Sequence, residues 1–178
     1  MKVIVIRHGA VDFRRSRRCS SAVFDREGAA YDQAPLKRAA YAAPQGEFRT
    51  VYVSTLPRSR ETAQLMFPGK NFWESALINE VPCRSAFDSR IKLPLWLWFL
   101  IGRLQWAAGS ARQPEKRCDT VDRARAFIKI ICQGSADCAV VTHGFFMHIL
   151  LRELKKAGFW TDRSRLSYQH GEYVTAER

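Results

Sequence analysis

The chain has 178 residues, 47% of them apolar, with 29 Lys+Arg against 17 Asp+Glu and a formal charge of +12. A chain of that length and apolar share is expected to bury roughly 70% of its unfolded surface and to be globular rather than disordered. The positive excess suits an anionic partner: a phosphorylated small molecule, a nucleic acid or an anionic membrane surface.

Val3 to Ile6 are four consecutive β-branched residues and read as a short buried strand, ending abruptly in Arg7, His8 and Gly9. A core strand has no need of that exit, whereas parallel sheets present ligands at the carboxyl ends of their strands. Ala10 to Ala34 is polar, carries Arg14-Arg15-Ser16-Arg17-Arg18, and is expected as a basic loop, either solvated or a flap over an anionic substrate. A short helix is expected from Leu36 to Ala43 behind Pro35.

Thr50 to Ser54 is the second expected strand, and Ser54 or Thr55 is placed to cap a helix with Pro57 in its first turn. Arg58 falls in that turn. A cation there opposes the macrodipole, at a cost of roughly 0.3–1 kcal/mol if exposed and unpaired, and a bound anion reverses the sign. Ser75 to Asn79 reads as a weaker strand ending at Glu80.

Pro82 to Pro114 is a Trp-rich insert around the apolar run Leu93–Ile101. A membrane span needs about 20 residues, so this run is too short. It is expected as a buried or lid-forming helix after Pro94. The alternative is peripheral contact of residues 93–101 with a membrane, through Trp96, Trp98 and Trp106 flanked by Lys92 and Arg103.

Thr120 to Cys132 has helical periodicity, with Asp119 or Thr120 as cap. Ala139 to Thr142 is a strand ending in His143-Gly144, and Phe145 to Ala157 an amphipathic helix ended by Gly158. Arg165 to Thr175 reads as a hairpin turning at His170-Gly171. The alternation argues one α/β domain over residues 1–178 with a largely parallel sheet.

Cys19, Cys83, Cys118, Cys132 and Cys138 are odd in number and lack C-x-x-C spacing. They are expected as reduced structural thiols of a cytoplasmic protein. The first strand is expected to begin at once, so no signal peptide is expected.

His8 and His143 each leave an apolar strand and precede glycine. His170 lies in a polar turn and is expected at the surface; His148 is expected to be structural or partly exposed. Two histidines and two arginines at strand ends suit a dianion. Neutral histidine is a nucleophile near pH 7, and arginine binds phosphate oxygens in a planar fork. The leaving alkoxide needs a proton, for which Glu80 is the candidate. These residues point to phosphoryl transfer through a phosphohistidine, and no P-loop, HExxH or zinc spacing competes.

Three blocks resemble the histidine phosphatase superfamily, the phosphoglycerate mutase-like family. They are Arg7-His8-Gly9, Ser54-Thr55-Leu56-Pro57-Arg58 continuing to Thr62-Ala63, and Val141-Thr142-His143-Gly144. The resemblance implies a three-layer α/β/α fold. It implies His8 as nucleophile, Glu80 as proton donor, and Arg7, Arg58, His143 and Gly144 at the substrate, with neither metal nor cofactor. Ala10-Val11 stands where the family often has Glu-Thr, and Val81 replaces the glycine after the catalytic glutamate, which keeps Asp88 and Glu74 as alternative acids. A phosphatase is expected rather than a mutase, since hydrolysis needs only water. A non-catalytic module binding polyanions or nucleic acid is the alternative. The aromatics are not interleaved with the basic residues, which disfavours it.

Overall fold

A computed structural model describes residues 1–37, 39–162 and 168–178. The sheet is built around β1 (Lys2–Arg7), which lies between β6 (Cys138–Thr142) and β8 (Tyr173–Glu177). With β3 (Thr50–Val53), β4 (Phe72–Glu74) and β7 (Trp160–Thr161) the order is β4-β3-β6-β1-β8-β7. Pairing is parallel from β4 through β1, and antiparallel for β8 and β7.

The apolar runs are continuous because both faces of the sheet are covered. Val3, Val5, Cys138 and Val140 face helices α4 (Arg117–Gly134) and α5 (Gly144–Lys156), meeting Phe127, Phe146, Leu150 and Leu154. Ile4, Ile6, Val51, Val53 and Val141 face the other way, onto Ala63 and Met66 of α2 (Pro57–Met66), with Phe48 and Phe67. This is a three-layer α/β/α arrangement. Each such aliphatic side chain gains roughly 1.5–3 kcal/mol by burial.

Register positions the site. Arg7 pairs with Thr142, so the next residues, His8 and His143, leave the sheet side by side. Val53 pairs with Val141, which brings Ser54 out beside them.

Four local expectations are corrected. Residues 10–34 are not a continuous loop: β2 (Arg18–Cys19) leads into α1 (Ser21–Gln33), which buries Phe24 against Trp98. No helix forms over 36–43 among the described residues; Leu36 bridges Val11 instead and the chain runs on irregularly. The strand expected at 75–79 lies earlier, at β4, and Ala76–Ile78 is a 3₁₀ turn capped by Ser75 Oγ, so Glu80 follows a turn rather than ending a strand. The N-caps are Leu56 for α2 and Lys116 for α4, where Asp119 accepts the Lys116 N–H.

The Trp-rich segment forms β5 (Leu93–Pro94), which pairs with β2, and then α3 (Leu95–Ala107). Trp98 is buried and donates to the Cys19 carbonyl; Trp106 is buried and donates to Thr120 Oγ1; Trp96 is exposed. Of the expected hairpin, β8 is present and His170-Gly171 form its turn, but β8 pairs with β1 and β7, and residues 165–167 lie outside the described residues. All five cysteines are unpaired.

Candidate active site

His8 is almost wholly buried at the exit of β1. Its Nδ1 lies 2.7 Å from the Gly9 carbonyl oxygen, which can only accept. The ring proton therefore sits on Nδ1, and Nε2 carries the lone pair. Arg58 Nε donates to that Nε2 at 3.2 Å. Burial, and then the Arg58 charge, push the His8 pKa well below 6.5, so the ring is neutral near pH 7.

The same Arg58 Nε–H also reaches His143 Nδ1, at 3.2 Å. His143 must then carry its proton on Nε2, which donates to Ser54 Oγ at 2.7 Å. Ser54 Oγ passes the chain on to Asn79 Oδ1 at 2.8 Å. Burial, followed by the neighbouring His8 and Arg58, holds the His143 pKa well below its ordinary value. Two neutral imidazoles thus turn their lone pairs to one guanidinium. An anion placed among them changes that balance.

Arg58 sits in the first turn of α2 and is fully buried. Its Nη1 bonds Asp32 Oδ1 of α1 at 3.0 Å, and its guanidinium lies 5.0 Å from the centre of the Tyr31 ring. The position that looked costly in sequence is held by one carboxylate and one aromatic face.

Arg7 donates through Nη1 to the Tyr168 carbonyl and approaches His170 Nε2 through Nη2 at 3.2 Å. Its Nε is buried with no hydrogen-bond partner among the described residues. A buried orphan donor costs about 1–3 kcal/mol, and an acceptor oxygen would recover it. Gly144 lets the guanidinium approach: a Cβ there would stand 2.9 Å from Arg7 Nε and 3.1 Å from Cζ. Gly9 and Gly171 do the same for Tyr41, whose ring would collide with a Cβ at either position and whose hydroxyl accepts the Ala10 N–H.

Glu80 lies across the pocket, at the N-terminus of α5. Its Oε1 accepts the Val81 and Phe146 N–H groups at 2.9 Å each, and Oε2 accepts the Phe145 N–H at 3.3 Å. Oε2, with one long bond, is the oxygen with room for a proton.

Arg7, His8, Arg58 and Glu80 line one pocket of about 1100 Å³, walled by α1 and α3. Among the described lining residues six arginines face four carboxylates, so the cavity is electropositive. His143 and Gly144 are not on its wall: His143 is buried behind Arg58, and Gly144 supports Arg7.

The chain was compared with known proteins. No protein-family model and no curated sequence matches it. Solved structures do. A mycobacterial glucosyl-3-phosphoglycerate phosphatase superposes with a TM-score of 0.65 at 15% identity, over 98% of this chain and 88% of its own. The alpha-ribazole phosphatase from Shigella flexneri gives 0.61 at 14% identity, over 98% and 89%. Phosphoserine phosphatase from Entamoeba histolytica, a histidine-to-alanine variant with phosphoserine, gives 0.56 at 16% identity, over 87% and 80%. The chain shares the three-layer fold of these phosphatases.

On that fold the alternative acids fall away from the pocket. Asp88 is exposed and paired with Arg112, and Glu74 is paired with Arg60 at the sheet edge. The other lining carboxylates are engaged: Asp25 with Ser85, Asp32 with Arg58 and Glu115 with Arg123. Glu80 has no ion pair among the described residues. His170 is expected at the surface, and its nearness to His8 is not foreseen in the sequence. It is exposed, but its ring stands 5.6 Å from that of His8. The signal was topological, because β8 pairs with β1 and its preceding turn, through the Gly171 N–H, bonds the Arg7 carbonyl at 3.0 Å. His148 is half-buried against Tyr168, as expected of a structural histidine.

Proposed function

We propose that the protein is a phosphatase that hydrolyses a phosphomonoester through a phosphohistidine on His8. The observation that carries this reading is the fixed tautomer of His8: a buried neutral ring whose Nε2 lone pair is aimed at a guanidinium. Nothing in packing calls for that arrangement, whereas a nucleophile for an anionic phosphoryl group does.

In the proposed sequence a dianion enters the electropositive pocket. Arg58 turns its Nε–H from the imidazoles to a phosphoryl oxygen, and the orphan Nε–H of Arg7 takes another. His143, freed from Arg58, takes a proton from solvent at Nδ1, donates it in a hydrogen bond to the anion, and returns it to solvent as inorganic phosphate leaves. His8 Nε2 attacks phosphorus while the P–O bond to the alcohol breaks and Glu80 delivers a proton to the leaving oxygen. Glu80, now ionised, accepts a proton from water as that oxygen attacks phosphorus. The N–P bond returns its electron pair to Nε2, and inorganic phosphate leaves. Gly144 acts by letting Arg7 sit close. A mutase would need the phosphoryl group returned to a second hydroxyl, and no observation favours that over water. The test is turnover of p-nitrophenyl phosphate in EDTA. His8→Ala is expected to abolish it, and full activity in the variant would overturn the assignment.

A further reading concerns peripheral membrane contact. Trp96, Leu100 and Leu104 recur at i, i+4 and i+8 on α3 and are 65%, 49% and 60% exposed. Exposed Lys92, Arg17 and Arg18 flank the start of the helix, where the Arg17 carbonyl accepts the Leu95 N–H and Arg18 of β2 pairs with Pro94. An apolar stripe beside basic side chains fits an anionic bilayer surface. No described helix is long and apolar enough to cross a membrane. Co-sedimentation with phosphatidylglycerol vesicles, lost in the Trp96→Ala/Leu100→Ala variant, is the expected outcome. Equal sedimentation of both proteins would refute it.

A further inference from the structure

Arg15 belongs to the basic run singled out in the sequence and has no part in the chemistry above. It is half-buried and lines the pocket. Its guanidinium lies 4.9 Å from the centre of the Tyr31 ring and 5.2 Å from that of Phe99, and its Nη2 stands close over Gly28 of α1. Two aromatic rings therefore hold one cation, yet it makes no hydrogen bond or ion pair among the described residues.

The nearby carboxylates are committed elsewhere. Glu27 accepts both the Ser16 N–H, at 2.9 Å, and the Ser16 hydroxyl, at 2.6 Å. Those bonds pin the backbone beside Arg15 onto α1 and occupy the carboxylate that could have neutralised it. Asp32 bonds Arg58. Burial lowers the Arg15 pKa, the mark of a cation with too little compensation. A solvated surface arginine would show none of this: no clamp, no pinned loop, no desolvation.

We propose that Arg15 is a second anion subsite of this pocket. By this reading the substrate is a phosphomonoester that carries another negatively charged oxygen group, a carboxylate or a second phosphate. The spacing is bounded. Arg15 and Arg58 both lie against the Tyr31 ring, which puts their guanidinium carbons no more than about 10 Å apart. A small metabolite spans that distance; a phosphoprotein loop is not required. Tyr31 and Phe99 leave the edge of the guanidinium for the second anion and offer apolar surface to whatever joins the two groups. The inference rests on the phosphatase reading and deepens it.

The test compares glycerol 3-phosphate with 3-phosphoglycerate and with propane-1,3-diol bisphosphate, beside p-nitrophenyl phosphate. The wild-type protein is expected to favour the doubly anionic esters in kcat/KM by roughly ten- to a hundredfold, the range of one charge-assisted hydrogen bond. Preference for the carboxylate or the bisphosphate tells which second group fits. Arg15→Ala should erase that preference through KM, Arg15→Lys should keep part of it, and p-nitrophenyl phosphate turnover should stay within about twofold. No preference in the wild type, or an equal loss on every ester, overturns the subsite. If the wild type turns over none of the esters, the phosphatase reading fails separately. Calorimetric binding of the same esters to wild type and Arg15→Ala then decides the subsite, with equal affinities overturning it.

Discussion

Replacing Glu80 by Gln separates a proton donor from a carboxylate that merely caps α5. The substitution preserves shape and most of the hydrogen bonding. The amide oxygen can keep the two 2.9 Å bonds from Val81 and Phe146, while the NH₂ group would face the Phe145 N–H, now 3.3 Å from Oε2. Losing that one long bond costs about 1 kcal/mol, or 2–4 °C in Tm for a chain of this size. The chemical loss is larger. A positioned general acid contributes roughly 10²–10⁴ in rate, equivalent to about 3–5 kcal/mol of barrier. The loss should depend on the leaving group, because a nitrophenolate departs without a proton and an alkoxide does not. Steady-state kinetics on glycerol 3-phosphate should therefore show a fall of at least a hundredfold in kcat, against less than tenfold on p-nitrophenyl phosphate. Equal losses on both, with Tm nearly unchanged, would refute the acid role and leave Glu80 as a cap.

Stability should fall as the pH drops from about 7 to 5. Burial holds the pKa values of His8 and His143 well below 6.5 and lowers that of half-buried His148, so the unfolded chain binds more protons in that window. The gradient is up to about 1.4 kcal/mol per pH unit for each histidine that stays neutral while folded. Urea titrations at pH 7.5, 6.0 and 5.0 check it, and a flat or opposite trend would contradict the burial of His8 and His143. Gly144→Ala should raise KM for p-nitrophenyl phosphate by roughly tenfold or more, because its Cβ displaces Arg7 and a 1 Å misplacement is enough for such losses. An unchanged KM would show that Arg7 does not need this approach.

The parts that the sequence made legible are those whose signal is local. Val3–Ile6 and Ala139–Thr142 are buried on both faces and read as unbroken apolar runs; α4 and α5 carry their core face at helical spacing. The site residues at their ends followed from that, since the register of β1 on β6 sets His8 beside His143. Helix α1 was not legible, because among its residues only Ser21 and Phe24 are buried and its packing partner, Trp98, lies far along the chain. Leu36–Ala43 had helix-forming residues but no apolar stripe to bury, and the Val11 bridge took Leu36 instead. The partners of Arg58, the clamp on Arg15 and the closeness of His170 all depend on contacts between distant segments, which composition and spacing do not encode.

The central claim is that His8 carries the phosphoryl group. Its most direct test is to mix the protein with a phosphomonoester, quench in alkali, where phosphohistidine survives, and locate the modified residue by peptide mass spectrometry. The account predicts a phosphate on His8, present in wild type, accumulating in Glu80→Gln with p-nitrophenyl phosphate, and absent in His8→Ala. Turnover without phosphate on any histidine, or phosphate on another residue, would contradict it.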